Sequence, residues 1–199
     1  RLLAGCKVMR IRIPYSAQEL CDITVQMVEK CGYTEDIYIR PIAYKSEERV
    51  AILNLDPLAD SFTVLAVPFG AYMDLEAAAR CCTSSWRRMD DTVIPPYVKI
   101  SGLYVNSILA KTEATLAGFD EAIILNQKGQ VCEGSGENLF MVSRGRVITP
   151  LLEDNALPGF TRDPIMDLAV REFGLEVVER SIDRSELYLA DEVFLTGTA

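Results

Sequence analysis

Between Ala122 and Pro150 the chain reads AIILNQKGQVCEGSGENLFMVSRGRVITP, short apolar runs cut by glycine-bearing turns at intervals of a few residues. No run there is long enough to wind a helix with its own buried face, whereas four to eight apolar or β-branched residues between turn signals suit a buried strand. The segment predicts three short strands with turns at Gly129 and Gly145, and it commits the chain to a sheet-containing core. Its middle, VCEGSGENLF, also places Glu133 and Glu137 around Gly134-Ser135-Gly136. One reading pairs one of these acids with a cation the protein does not encode, the glycines letting backbone approach a flat ring closely. The other is a solvated polar turn.

Helical signals flank this core on both sides. SAQELCDITVQMVEKCG places Leu20, Ile23, Val25, Met27 and Val28 at near-helical spacing, with Ser16 as N-cap and Gly32 as stop. IYIRPIAY follows as a strand and SFTVLAVPFG as a buried one. After a connecting stretch and the glycine-cut strands, TRDPIMDLAVREFG predicts a helix with Thr161 as N-cap, Pro164 in the first turn and Gly174 past its end. LEVVER reads as a strand, DRSELYLA as a short helix opened by Asp183-x-x-Glu186, and EVFLTG as the last strand. Helices mixed with strands predict an α+β or mixed α/β fold in two parts: a small α+β domain over 1–70, a connection over 71–76 and a larger domain over 77–199.

Charge and composition narrow the chemistry. A formal net charge of -9 and a pI near 4.6 disfavour nucleic acid or an anionic membrane as a partner. No apolar run approaches the roughly 18 residues of a membrane span. Histidine is absent, so Ser-His-Asp and Cys-His catalysis are unavailable, and acid–base work falls to Lys, Asp, Glu, Tyr or Cys. The six cysteines lack CxxC spacing, which disfavours a zinc site and suits a reducing, cytoplasmic setting. The chain opens at Arg1 without Met and stops after a strand-like run, and is expected to be an internal piece of a longer protein.

Three more places carry chemistry by residue type. Lys99, in IPPYVKISGLY, lies among apolar neighbours; desolvation there would make it a Schiff-base former, and an edge-strand lysine that blocks aggregation is the alternative. LPGFTRD opens the helix near residue 162, where unpaired N–H groups bind phosphate or where Thr161 simply caps. LTGTA, at the end, is either a second small-residue anion nest or a turn.

The order YIRP, PFGAY, a lysine followed five residues later by tyrosine, EGSGENLF, LPGFTRD and LYLADEVFLTGTA resembles the branched-chain amino acid aminotransferases, class IV enzymes of fold type IV that use pyridoxal 5'-phosphate (PLP). The likeness runs along essentially the whole chain. It implies a two-domain fold with a pseudo-barrel sheet in the larger domain. It implies that Lys99 bonds to PLP and shuttles the proton at the substrate Cα, that Glu133 pairs with the pyridine nitrogen, and that Tyr104 hydrogen-bonds the phenolic oxygen. Phe160, Thr161 and Thr198 match phosphate contacts, and Arg1 lines up with the family's phosphate arginine. Tyr38 and Arg40 resemble the pair lining the substrate pocket near a dimer interface, the arginine accepting the distal carboxylate of glutamate. Phe69 and Tyr72 look like aromatic walls of the side-chain pocket. The backbone of Thr198 and Ala199 would meet the substrate α-carboxylate, and Glu137 is read as structural.

The activity implied is ping-pong transamination of leucine, isoleucine or valine with 2-oxoglutarate in a homodimer or higher homo-oligomer. D-amino acid aminotransferases and aminodeoxychorismate lyases share the Lys/Glu pair, and YIRP with GTA favours the branched-chain type over both. A non-catalytic α/β protein that binds a partner is the rival from another class. The segment between YIRP and PFGAY is short where the family often carries a pocket-shaping loop.

Overall fold

A computed structural model describes residues 1–70 and 78–198. The chain divides into two compact units that part between residues 76 and 77.

The first unit opens with helix α1 (Leu2–Val8) and helix α2 (Ala17–Cys31). Ser16 caps α2 as the pattern predicts: its Oγ accepts the Glu19 N–H while the Glu19 carboxylate accepts the Ser16 N–H, so two otherwise orphaned donors are satisfied. Gly32 ends the helix in the left-handed region at φ 64°, which a side chain would disfavour. Strands β1 (Ile37–Lys45) and β2 (Asp60–Pro68) pair antiparallel along their whole length, from Ile37 opposite Pro68 to Lys45 opposite Asp60. The expectation that β2 is buried is corrected. None of its residues is fully buried, and Leu65 and Val67 are each 48% exposed, because a two-stranded sheet with helices has apolar surface left over.

The second unit carries the larger core. Strand β3 (Cys81–Arg87), helix α3 (Leu103–Leu116) and strand β4 (Glu121–Leu125) form a crossover, with β3 and β4 parallel. Both β3 and α3 lie in the stretch ahead of Ala122, where the sequence predicts no helix and only the run around Lys99 looks strand-like. Strand β5 (Val131–Gly134) pairs antiparallel with β4 and completes a three-stranded sheet in the order β3-β4-β5. Strands β6 (Asn138–Ser143), β7 (Arg146–Thr149), β8 (Glu176–Glu179) and β9 (Glu192–Thr196) form a second sheet in the order β8-β7-β6-β9. Helix α4 (Arg162–Arg171) packs beside β8, and a 3₁₀ turn over Arg184–Tyr188 opens with the expected Asp183/Glu186 capping box.

Two corrections concern the glycine-cut segment. It holds four strands rather than three, because Ser135–Glu137 breaks the chain between β5 and β6. That break is a corner at which the chain leaves one sheet and enters the other. Glu137 closes it: its C=O accepts the Gly134 N–H and its carboxylate accepts the Gly136 N–H. The Gly129 turn and the Arg144-Gly145 turn, with positive φ at both central residues of the latter, fall where expected.

Strand β6 is buried on both faces. Leu139 and Met141 join Ile123, Leu125, Val131, Ile148 and Ile182 in one cluster. On the other face Phe140 packs with Val147 and Ala169 and stacks on Phe194 at 5.2 Å between ring centroids. At roughly 25 cal/mol per Å² of apolar surface removed from water, these two layers are the main support of the second unit.

Candidate active site

Glu133 is the penultimate residue of β5, and its carboxylate is sealed inside the second unit with 6% of the side chain exposed. A charge at that depth must be paired and hydrogen-bonded. Oε1 lies 2.6 Å from Arg88 Nη2. Oε2 accepts the Leu157 N–H at 2.8 Å and, at a longer 3.4 Å, the Asn138 side-chain amide. Burial pushes the Glu133 carboxyl up, while the Arg88 guanidinium, the Leu157 N–H and the Lys99 ammonium pull it back down. The idea that its cation lies wholly outside the protein is therefore corrected: the chain supplies Arg88. A carboxylate offers about four acceptor positions, so three donors leave room for a further one.

Asn138 links the motifs. Its amide donates to Leu157 O at 2.8 Å, so the turn before α4 is fastened to β6 through a side chain and to Glu133 through the backbone. Gly159 presses against the same asparagine; a Cβ there would fall 1.9 Å from Asn138 Oδ1. Across the sheet Asn138 is in register with Thr196, two residues before Thr198. EGSGENLF, LPGFTRD and LTGTA, far apart in sequence, thus meet around one asparagine. Thr196 Oγ1 is buried and has no partner among the described residues.

The predicted site residues fall into two groups. Glu133 is joined through Asn138 to the Gly159 turn as above, with the predicted Phe160 and Thr161 next along that turn. Thr161 is partly buried, and its hydroxyl makes no capping bond, since the residue sits at φ -85°, ψ -22° rather than in the extended conformation a side-chain cap needs. That corrects the capping expectation. Phe160 and Thr198 are exposed. Lys99 lies in an irregular turn just ahead of α3, not in an apolar strand, and it is exposed. Pro95 and Pro96 keep that approach out of regular pairing. Tyr104 is in the first turn of α3, which explains the spacing of five: the lysine precedes the helix, the tyrosine rides on it, and Lys99 Nζ lies 5.7 Å from the Tyr104 ring centroid.

In the first unit, Tyr38 and Arg40 share one face of β1 by the two-residue repeat of a strand. Arg40 donates to Tyr38 Oη from Nη2 at 2.9 Å and from Nε at 3.2 Å, and the Phe69 ring packs on Tyr38 at 5.4 Å. Arg1 precedes α1 in this same unit. Tyr72 and Ala199 lie outside the described residues.

Arg88 and Asn138 were not legible as site residues in the sequence, and Gly159 was legible only as part of a phosphate-type turn. Asn138 stood inside a quoted motif without a role. Arg88 stood in SSWRRMD, where a pair of arginines gives no hint that Arg87 is exposed and Arg88 buried. Cys132, beside Glu133, is fully buried, and burial holds its thiol well above the ordinary range, which removes it as a nucleophile. Among the described residues no cluster of three potential ligands could hold a metal ion, and no helix is long and apolar enough to cross a membrane.

Residues 1–199 match the family described as amino-transferase class IV. The chain belongs to the class IV aminotransferases. It is 47% identical over 199 residues to a "Probable branched-chain-amino-acid aminotransferase" of Aquifex aeolicus, spanning all of this chain and 64% of that one. The branched-chain aminotransferase of Thermoproteus uzoniensis, solved with norvaline, superposes with a TM-score of 0.95 at 44% identity, over 100% of this chain and 66% of that chain. The Thermobaculum terrenum branched-chain amino acid aminotransferase in its PLP form superposes with a TM-score of 0.94 at 36% identity, over 99% of this chain and 64% of that chain. The expected fold type IV aminotransferase architecture, helices with mixed sheets, is therefore the observed one. The chain spans about two thirds of the length of these class IV relatives.

Proposed function

We propose that this chain carries the cofactor and substrate machinery of a PLP-dependent transaminase acting on branched-chain L-amino acids with 2-oxoglutarate. The observation that carries the reading is the sealed Glu133 carboxylate, braced by Arg88 and the Leu157 N–H, with the Lys99 ammonium within its electrostatic reach. The residues present suit PLP. A buried anion with acceptor capacity to spare matches a protonated ring nitrogen. The start of α4 offers N–H groups to a phosphate beside a glycine that tolerates no side chain, and the unpartnered Thr196 hydroxyl lies across from Asn138.

Glu133 would hold the ring nitrogen, Tyr104 the phenolic oxygen, and Arg1, Phe160, Thr161 and Thr198 the phosphate. Bound there, PLP supplies an electron sink for charge developing at the substrate Cα. Lys99, exposed just ahead of α3, would take the Cα proton and return it. Tyr38, Arg40, Phe69 and Tyr72 would line the substrate side, with the backbone of Thr198 and Ala199 on the α-carboxylate. The pre-set Arg40–Tyr38 contact suits a pocket that takes an apolar side chain in one half-reaction and a second carboxylate in the other. The Aquifex relative's name and the norvaline bound to the Thermoproteus enzyme support an aliphatic amino acid. A cytoplasmic homodimer or higher homo-oligomer completes the reading; the six unpaired cysteines support a reducing setting.

The test is the visible absorption of protein loaded with PLP, before and after amino acid is added. The expected result is a band that L-leucine bleaches, that D-alanine leaves in place and that Lys99→Ala abolishes. Bleaching by D-alanine alone would move the assignment to a D-amino acid enzyme. A colourless wild-type protein would overturn the transaminase reading.

A further inference from the structure

Arg88 and Glu133 form an ion pair with 5% and 6% of their side chains exposed. Two ions at that depth have lost most of their hydration, and a pair of this kind is often no more stable than two apolar residues of the same volume. Stability alone is thus a poor account of it.

The way Arg88 is held says more. Its backbone is fixed on both sides: the N–H donates to Leu125 O at 2.9 Å, and its C=O accepts from Gln127 Nε2 at 3.3 Å. From this anchored root the guanidinium reaches two elements at once. Nη2 meets Glu133 Oε1 on β5, and Nη1 donates to Ser107 Oγ at 3.3 Å on α3. Ser107 stands one turn beyond Tyr104 on the same helix. Next to it Asn106 donates to Arg87 O at 3.0 Å, so the end of β3 and the first turns of α3 are stitched together at two adjacent points. A planar, forked cation can make both contacts, whereas a lysine, a point charge, can make one well.

We propose that Arg88 is a positioning residue: it holds the Glu133 carboxylate charged and aimed, and it ties the helix that carries Tyr104 to that same carboxylate. The proposal rests on the transaminase reading, in which Glu133 faces a protonated ring nitrogen. An uncharged Glu133 would hold that nitrogen as a neutral partner and leave the ring a weaker electron sink. Without Arg88 the carboxylate faces the Lys99 ammonium from the turn before α3, the Glu137 carboxylate from the corner and the Cys132 thiol beside it, with the Leu157 N–H and Asn138 amide as its remaining donors. Burial then works against its charge with its nearest cation gone.

The experiment compares Arg88→Lys, Arg88→Gln, Glu133→Gln and the double variant Arg88→Gln/Glu133→Gln in the full-length polypeptide. Two readouts are used. One is PLP affinity and kcat/KM across pH; the other is the infrared band of a protonated carboxyl in the PLP-free protein. Arg88→Gln is expected to weaken PLP binding by about tenfold or more, to move the acid limb of kcat/KM to higher pH, and to give a protonated-carboxyl band that the double variant lacks. Arg88→Lys should leave the acid limb in place while still weakening PLP, because charge is kept and the fork is lost. In the Glu133→Gln background, removing Arg88 should cost little more. An equal penalty in both backgrounds, or an unmoved limb with no new band, would mean a purely structural ion pair and overturn the proposal. Should Arg88→Gln fail to fold, Arg88→Lys and Ser107→Ala decide: wild-type PLP affinity in both overturns it. A wild-type protein that binds no PLP defeats the transaminase reading, while the infrared band still decides whether Arg88 keeps Glu133 charged.

Discussion

Gly159 is the tightest point of the site. A Cβ there would lie 1.9 Å from Asn138 Oδ1 and 3.1 Å from its Cγ, and Asn138 is already committed through its amide to Leu157 O. Gly159→Ala must therefore rotate Asn138 off its partner or push the turn outward. Overpacking of this kind costs about 1–3 kcal/mol, measurable by denaturant unfolding. Asn138→Ala makes the missing room, so the double variant should lose clearly less than the sum of the single losses; strict additivity would contradict the contact. Residue-scale chemistry of this sort was only half legible in the sequence. Glu133, Lys99 and Tyr104 stood out by type and spacing, but Arg88 could not, because a guanidinium in a run of polar residues looks solvated until the fold puts a carboxylate against it. Gly159 could be read as a turn residue, yet what requires it is another side chain, supplied by the strand of the preceding motif.

At the scale of elements, the crossover from β3 through α3 to β4 is pinned by Glu113. Its carboxylate accepts from the Ser84 hydroxyl and, at 2.9 Å, from the Ser85 N–H, joining α3 to β3. Those bonds hold the Glu113 carboxyl below the ordinary glutamate range. A carboxyl lowered by folding releases its proton more readily in the native state. Its stabilising contribution is therefore present above the unfolded value and is lost as pH falls through that value toward the lowered one. Wild type should melt above Glu113→Gln at neutral pH, with the gap closing on acidification; a gap independent of pH would contradict the assignment. This crossover is also where sequence reading failed most. In α3 Val105, Ile108 and Leu116 are exposed, and past Leu103 the buried face is made of Asn106, Ser107, Ala110 and Ala114, so no large-apolar stripe marks the helix. Strand β3 reads CCTSSWR, too polar to signal a strand, and its one buried residue is Ser84. Where the signal was strong, as in α2 between its Ser16 cap and Gly32 stop, the element fell where expected.

At the scale of the molecule, the proposed labour is divided by chain position. Lys99, Tyr104, Glu133, Phe160, Thr161 and Thr198 belong to the second unit, while Tyr38, Arg40 and Phe69, read as substrate residues, belong to the first together with Arg1, the one residue there read to meet the cofactor. Substitutions at Tyr38, Arg40 or Phe69 should therefore change choice of the second substrate more than cofactor binding. A ligand that binds only the folded state stabilises it by about 2.7 kcal/mol at a hundredfold excess over Kd, so PLP should raise the melting temperature of the full-length protein. Glu133→Gln and Lys99→Ala should cut that rise, since each removes a group read to touch the cofactor. Arg40→Met should keep it, because Arg40 is bonded to Tyr38 on an exposed stretch of β1 and is read to meet only a distal carboxylate. The same Arg40→Met protein should show a raised KM for 2-oxoglutarate and glutamate with little change for leucine, since a methionine still offers an apolar wall but no cation. If Arg40→Met instead abolishes the PLP-induced rise, or spoils leucine as much as 2-oxoglutarate, then β1 is part of the cofactor site or merely structural, and the assignment of Arg40 to the carboxylate substrate falls.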